Sequence, residues 1–310
     1  MKVEKELEGI VFGALSYLIW GIVPIYWKLI DHVDAWEILI HRVLWSCVFM
    51  VAVLLATRKW PVFLQYCKEI WVNKKKLLAL FGASVLVTIN WGIFIWAVNE
   101  GRILETSLGY YINPLVSVLL GVVVLKEKLT KIQVASVCLA GIGVAVLTVY
   151  LGSLPWVSLC LALSFGFYGL TKVLINAEAA IGLTLETLLM VPAGLIFLSL
   201  LVDAQGSTAG GAQDMLLLAG GGVVTALPLL LFAMGARNIP LSMLGFLQYI
   251  APTLSLLIGV FLYHEQFTVA HGIAFSFIWS GLILYSFAHV KSINKNKRGF
   301  QPNNEEAEVH

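Results

Sequence analysis

Charge is what this sequence has least of: Asp, Glu, Lys and Arg make up 12% of its 310 residues, against about 25% in a soluble domain. Apolar residues fill the deficit, at 59% of the chain with a mean hydropathy of +0.89, and a water-soluble fold is excluded on that balance. Cysteine is scarce as well. Cys47, Cys67, Cys138 and Cys160 have neither a C-x-x-C partner nor a histidine at metal-ligand spacing, and three of them fall within apolar runs, so they read as small apolar fillers. There is no Walker A, H-E-x-x-H, G-x-S-x-G or complete G-x-G-x-x-G sequence, and His264-Glu265 lacks a second histidine four residues on. ATP hydrolysis in this chain is not expected, nor is a cofactor, a metal or an enzymatic activity. The net charge of +2 is too slight to imply nucleic acid, and the basic residues sit in short loops and the tail, where lipid headgroups are the usual partner. Met1 to Glu8 mixes Lys2 and Lys5 with Glu4, Glu6 and Glu8, so the first apolar run is expected to stay as a helix rather than leave as a signal.

What is present is a series of apolar runs near the length that crosses a bilayer as a helix, about 20 residues. They fall at 9–29, 36–56, 77–98, 103–125, 132–150, 156–175, 182–202, 214–235, 239–262 and 269–289. The expected fold is an all-α polytopic membrane protein with ten transmembrane helices. Lys and Arg concentrate in alternate connections: Arg58 to Lys76 after the second run, Lys126 to Lys131 after the fourth, and Lys291 to Arg298 after the tenth. The other connections are almost free of them, with Arg102 as the exception. By the positive-inside rule both termini are cytoplasmic, and in a bacterium the inner membrane is the expected location. Lys291 to His310 is polar and is expected to be a flexible cytoplasmic tail.

An internal repeat divides the chain. At a constant offset of 138, Tyr111 matches Tyr249, Pro114 matches Pro252, Ser117 matches Ser255, Gly121 matches Gly259, Glu127 matches Glu265 and Gly143 matches Gly281. Two Leu-rich helices matched by chance would not keep an interior proline, two glycines and a loop glutamate in step. The expected units are residues 1–150 and 151–290. Each holds five helices, and five is odd, so the second must enter the membrane inverted. Inverted repeats with a midplane site between them are a common plan of secondary transporters.

Polar groups inside the apolar runs are the candidate solute-binding residues, because such groups are costly in lipid and usually face a partner or a cavity. Arg42 and His41 lie just inside the second run, one turn after Glu37. The functional reading is an anion-binding arginine beside a titratable histidine; in the alternative, Arg42 snorkels to headgroups or pairs with Glu37. Glu186 falls near the equivalent place in the second unit with only Thr184 and Thr187 for local company, and reads equally as a site residue or as a solvated helix start. Tyr110 and Asn113 share a face just before Pro114, and Gln248 precedes Pro252 likewise. A helix proline frees a carbonyl on the previous turn, so Pro114 and Pro252 are candidate helix breaks. The neighbouring amides either line a solute site or hold helices together. Asn90 has the same two readings, and Trp20, near mid-span, joins the candidates. Glu100, Arg102 and Glu105 read as surface ion pairs, and Gly9 with Gly13 as a close-packing face.

The motifs carry a resemblance. Trp20-Gly21 with Lys28, and the pair Glu127-Lys128-Leu129-Thr130 and Glu265-Gln266-Phe267-Thr268, resemble signatures of the drug/metabolite transporter superfamily, in its EamA branch. Glu37 to Arg42, Asn90-Trp91, Ser107 to Pro114, Gly152 to Pro155 and Gln248 to Ile250 followed by Pro252 are similar to a narrower group of that branch. The likeness covers residues 9–290. It implies a ten-helix permease whose central cavity is lined by helices one to four and six to nine, with five and ten peripheral. One departure is that Trp20-Gly21 meets only Phe165-Gly166 in the sixth run. The expected function is alternating-access transport of a small organic metabolite or drug-like solute, with lipid and a coupling proton as further partners. Two rivals are a sensor or assembly protein on a permease fold, and an intramembrane enzyme using His41 and Glu186 as acid and base.

Overall fold

The computed structural model describes residues 2–298 except 101, 151, 153–155, 265 and 266, with backbone alone at 2–3, 98–99, 103–104, 202–205 and 289–298. Glu265, the 153–155 part of one signature and residues 299–310 of the expected tail therefore lie outside the described residues. The first five spans are α1 (Lys2–Trp27), α2 (Ala35–Ala56), α4 (Lys74–Asn99), α5 (Ile103–Val123) and α6 (Lys131–Tyr150), with α3 (Trp60–Val72) between the second and third. The second five are α7 (Trp156–Ile175), α8 (Ala179–Gln205), α9 (Ala212–Asn238), the pair α10 (Leu241–Leu247) and α11 (Ile250–Leu262), and α12 (Val269–Arg298). Among the described residues ten segments are long and apolar enough to cross a membrane, and they coincide with the ten apolar runs.

Three features depart from the sequence expectation. Helix α3 lies within what the sequence presents as a basic connection. It buries Phe63 and Ile70 with Tyr66 and Cys67 half-buried on one side, exposes Gln65, Lys68 and Glu69, and ends on the exposed Trp71 and Val72, the pattern of a helix lying in the membrane interface. Burial of its Tyr66 hydroxyl, with Glu69 nearby, pushes that group above its usual titration range. Next, α12 extends through residues 291–298 of the expected tail, because a formed helix adds one hydrogen bond for each residue it recruits. Third, the break in the ninth span falls at Gln248-Tyr249, a turn before Pro252, whereas Pro114 sits inside an unbroken α5. Proline at 252 cannot donate to the Gln248 carbonyl and crowds it; that carbonyl accepts instead from Ala251 N at 3.2 Å, the tighter pitch that ends one helix and starts the next. Pro114 keeps its helix, and its carbonyl lies 2.9 Å from where a Cβ on Gly245 of α10 would stand. A larger residue at 245 would drive α5 and α10 apart.

Helix neighbours recur between the two sets of five. Helix α1 packs on α9 and α7 on α4; α5 packs on α7 and α11 on α1; α2 pairs with α8, α5 with α10 and α6 with α12. Close glycine contacts recur likewise. A Cβ on Gly143 would meet Ala274 O at 2.6 Å, and one on Gly281 would meet Ser136 O at 2.8 Å. Gly21 is packed against Leu254 and Gly166 against Val116, so Phe165-Gly166 holds the place of Trp20-Gly21 in packing. Lys126 and His264, each followed by a repeated glutamate, both adopt the left-handed backbone, with φ of 59° and 55°. Gly9 and Gly13 do make a close crossing, against Gly235, Asn238 and Ile239 of the α9 end.

Candidate functional site

Arg42 is eight residues into α2, whose start is held by the Asp34 carboxylate accepting from Trp36 N at 2.9 Å and Glu37 N at 3.2 Å. Its side chain runs inward. The guanidinium carbon lies 4.7 Å over the Trp27 ring and 5.0 Å over the Trp91 ring, and Nε donates to Thr225 Oγ1 of α9 at 3.0 Å. Two indole faces stabilise a cation through their quadrupoles, and more strongly away from water. Among the described residues no carboxylate pairs with Arg42. The Glu37 pairing does not hold, because that carboxylate is occupied elsewhere, and the guanidinium instead meets residues of three other helices. The Glu37 carboxylate accepts from Ser207 Oγ at 2.6 Å and from Thr208 N and Oγ1 at 2.8 and 2.7 Å. Tyr110 lies within electrostatic range of Arg42 and its ring packs on Phe94 at 5.9 Å. Although it belongs to a span, Tyr110 is 46% exposed. His41 is buried beside Glu37, and its Nδ1 has no hydrogen-bond partner among the described residues.

The other candidates divide by what already holds them. Asn90 gives both amide bonds to α7, to Leu161 O and Ser164 Oγ at 2.9 Å each, so its donors serve to join helices. Gln248 Nε2 donates to Ser117 Oγ at 3.1 Å, across the α5 and α10 crossing, and its amide lies beside the Tyr17 hydroxyl. Asn113 is buried and its Oδ1 has no partner among the described residues. Trp20 belongs to a layer of rings, 5.4 Å from Tyr17, 5.7 Å from Phe165 and 6.0 Å from Phe232. An apolar groove of ≈ 340 Å³ beside Ile112, Val144 and Leu159 lies at α5, α6 and α7; its lining is that of a lipid-facing seam.

Glu186 is neither solvated nor in the company of Thr184 and Thr187. It is buried, and both its oxygens face Lys172 Nζ of α7, at 2.5 and 2.7 Å. Thr184 and Thr187 instead donate to backbone carbonyls of their own helix. The sequence signal for this pair was a lysine near the end of an apolar run. The repeated glutamate Glu127 has a structural role, accepting from Leu241 N at 2.7 Å and Ser242 N at 2.9 Å at the start of α10. Arg102 and Glu105 form the expected surface pair at 3.3 Å. Trp27, Trp91 and Thr225, which hold Arg42, were missed, since aromatic rings and a threonine in three apolar runs carry no mark of convergence.

Residues 7–149 match the EamA-like transporter family. The chain is 50% identical over 293 residues to the uncharacterized transporter YojE of Bacillus subtilis (strain 168), covering 94% of this chain and 97% of that one. It is 42% identical over 288 residues to protein RarD of Escherichia coli (strain K12), covering 92% and 96%. A protein crystal structure with 18% identity superposes with a TM-score of 0.65 over 90% of this chain and 96% of that chain, a likeness of fold alone. The rival enzyme reading finds no support in these relatives, and together with the ten apolar helices they establish that the chain is a multi-pass bacterial membrane protein belonging to the EamA-like transporter family.

Proposed function

We infer that this chain is a secondary transporter that carries a small organic solute with an anionic group across the inner membrane, by alternating access between two inverted five-helix repeats. One observation carries the reading: Arg42 sits in a span, stacked on Trp27 and Trp91, bonded through Nε to Thr225, and without a carboxylate partner among the described residues. A cation kept inside a membrane protein at a cost of several kcal/mol needs a counter-charge at some stage of its work. The solute supplies it. Tyr110, Asn113 with its free Oδ1, and the Trp20 ring layer form further walls of the site, and His41 lies at its outer side; Asn90 and Gln248 hold those walls in position. The repeat reading is supported by matched close contacts: Gly143 lies against α12 and Gly281 against α6, and Gly21 lies against α11 and Gly166 against α5. Cytoplasmic termini are supported by the charge pattern of the loops.

The test is flux into liposomes containing the purified protein, using a panel of labelled organic anions, cations and neutral compounds chosen by metabolite profiling of cells with and without the protein. An anion should be transported, and Arg42→Gln should lower its flux at least tenfold at matched abundance. Flux of none of the panel would favour the non-transporting sensor reading, and undiminished flux in Arg42→Gln would remove Arg42 from the site.

A further inference from the structure

The solute site leaves unused a second charged group in the span interior. Lys172 and Glu186 are 8% and 2% exposed, and Tyr168, fully buried one turn before Lys172, donates its hydroxyl to the same carboxylate at 3.2 Å. The Lys172 ammonium also lies 5.2 Å from the centre of the Tyr168 ring. Other titratable groups lie near the pair on the surrounding elements: Tyr66 of α3, Glu178 before α8 and Arg237 of α9, with Cys47 of α2 beside the neighbouring Thr187. Helix α4, which also packs on α8, has no titratable side chain except Lys74 to Lys76 at its exposed start. A cavity of ≈ 10 Å³ is lined by Lys172, Glu178, Gly182, Glu186, Ala233 and Arg237, about the room needed by one water. It reaches the end of the bundle where Lys59 pairs with Glu178, and Arg237 donates to Asn176 at 3.2 Å.

A buried ion pair is a poor source of stability, because desolvation offsets its attraction, and an apolar replacement of similar volume is often as stable. What the pair provides is a state that one proton can undo. With the carboxylate charged, the two groups neutralise each other, and Lys172 and Tyr168 tie α7 to α8 through their bonds to it. Once the carboxylate is protonated, the ammonium is left alone in an apolar interior, and the closed arrangement becomes costly.

We propose that Glu186 is the proton-binding carboxylate of this chain and that its protonation frees Lys172 and opens the cavity beneath it. The proton enters from water at the Arg237 end and is held on a Glu186 oxygen. Lys172 keeps its own protons and no electrons move. Proton and solute then bind in different halves, Glu186 in the second and Arg42 in the first. The inference rests on the transport reading only for what the proton drives.

The test needs no solute. In a variant with all four cysteines replaced by alanine, Ala233→Cys supplies a thiol on the cavity wall. Its alkylation by a membrane-impermeant maleimide is followed at pH 7.5 in inside-out and right-side-out vesicles. Glu186→Gln, which imitates the protonated carboxyl and keeps Lys172, should speed labelling at least tenfold, whereas the pair Lys172→Met with Glu186→Gln should label at the parent rate. An unchanged rate in Glu186→Gln overturns the proposal. Should Glu186→Gln fail to reach the membrane, the parent is compared with the double variant from pH 8 to pH 5.5, a ratio that cancels the titration of the thiol itself. A ratio that rises severalfold on acidification supports proton binding at Glu186, and a flat ratio overturns it. Faster labelling from right-side-out vesicles would reverse the orientation and leave the proton site standing. Absence of solute flux would sink the transport reading without touching the labelling result.

Discussion

At the scale of single residues, satisfaction of hydrogen bonds separates the amides that hold the bundle from those free for a solute. Asn90 spends two donors on α7, so Asn90→Ala should lower thermal stability by about 1 kcal/mol, in line with interhelical hydrogen bonds in membranes. Asn113 Oδ1 has no partner among the described residues. Asn113→Ala should therefore leave the melting temperature nearly unmoved and weaken solute affinity, while Gln248→Ala, which severs the bond to Ser117, should move both. Intrinsic fluorescence melts in detergent beside flux assays at matched abundance check all three, and wild-type transport in Asn113→Ala would return it to the role of packing. Arg42→Lys is a harsher change than it looks. A lysine cannot lie flat between Trp27 and Trp91 while also donating to Thr225, because stacking with a directed Nε bond needs the planar guanidinium. Flux should fall at least tenfold in that variant, with only a small change in melting.

Among the helices, glycine decides how closely pairs approach. A Cβ on Gly222 of α9 would stand 2.4 Å from the Trp45 backbone of α2, whereas one on Gly82 of α4 would meet nothing within 4 Å. Gly222→Ala should destabilise by about 1–3 kcal/mol through overpacking. Gly82→Ala should stabilise slightly, by up to about 1 kcal/mol, because alanine loses less backbone freedom in a helix. Paired melting curves test the contrast, and equal shifts in the two variants would contradict it. The break between α10 and α11 belongs to this scale too. It follows from a proline whose effect falls one turn upstream, and so it sets Gln248, rather than Pro252, at the crossing with Ser117.

For the whole molecule, two sets of loop contacts bind the ends of the bundle. At one end Glu37 takes up Ser207 and Thr208, and His32 lies 3.1 Å from Asp214; at the other Lys59 meets Glu178 and Arg237 meets Asn176. The proposed cytoplasmic termini would turn the first end outward. Ser207→Cys should then react with an impermeant thiol reagent applied to intact cells stripped of their outer barrier, and Asn73→Cys should not; the reverse labelling would invert the topology. The repeat makes a separate prediction for an experimental structure. Residues 1–150 should superpose on 151–290 by rotation about an axis in the membrane plane, carrying Pro114 onto Pro252, and failure of that superposition would remove the inverted repeat.

How much of this was legible in advance depended on range. Apolar length determined the ten spans, since a helix must cross about 30 Å of hydrocarbon whatever its neighbours are, and an offset of 138 joined Pro114 to Pro252 before any contact was known. The amphipathic α3 was written in Phe63, Tyr66, Cys67 and Ile70 but was hidden by the surrounding lysines. Which polar group met which was decided only by the tertiary structure. Glu186 finds Lys172 across a helix connection, Arg42 finds Trp27, Trp91 and Thr225 from three other helices, and Glu37 is drawn to the 207–208 loop. Spans are local consequences of solvent and length. Partnerships inside them depend on the rotation and crossing of separate helices, set by glycine contacts such as Gly222 on Trp45 and Gly245 on Pro114, and no single run of sequence contains that information.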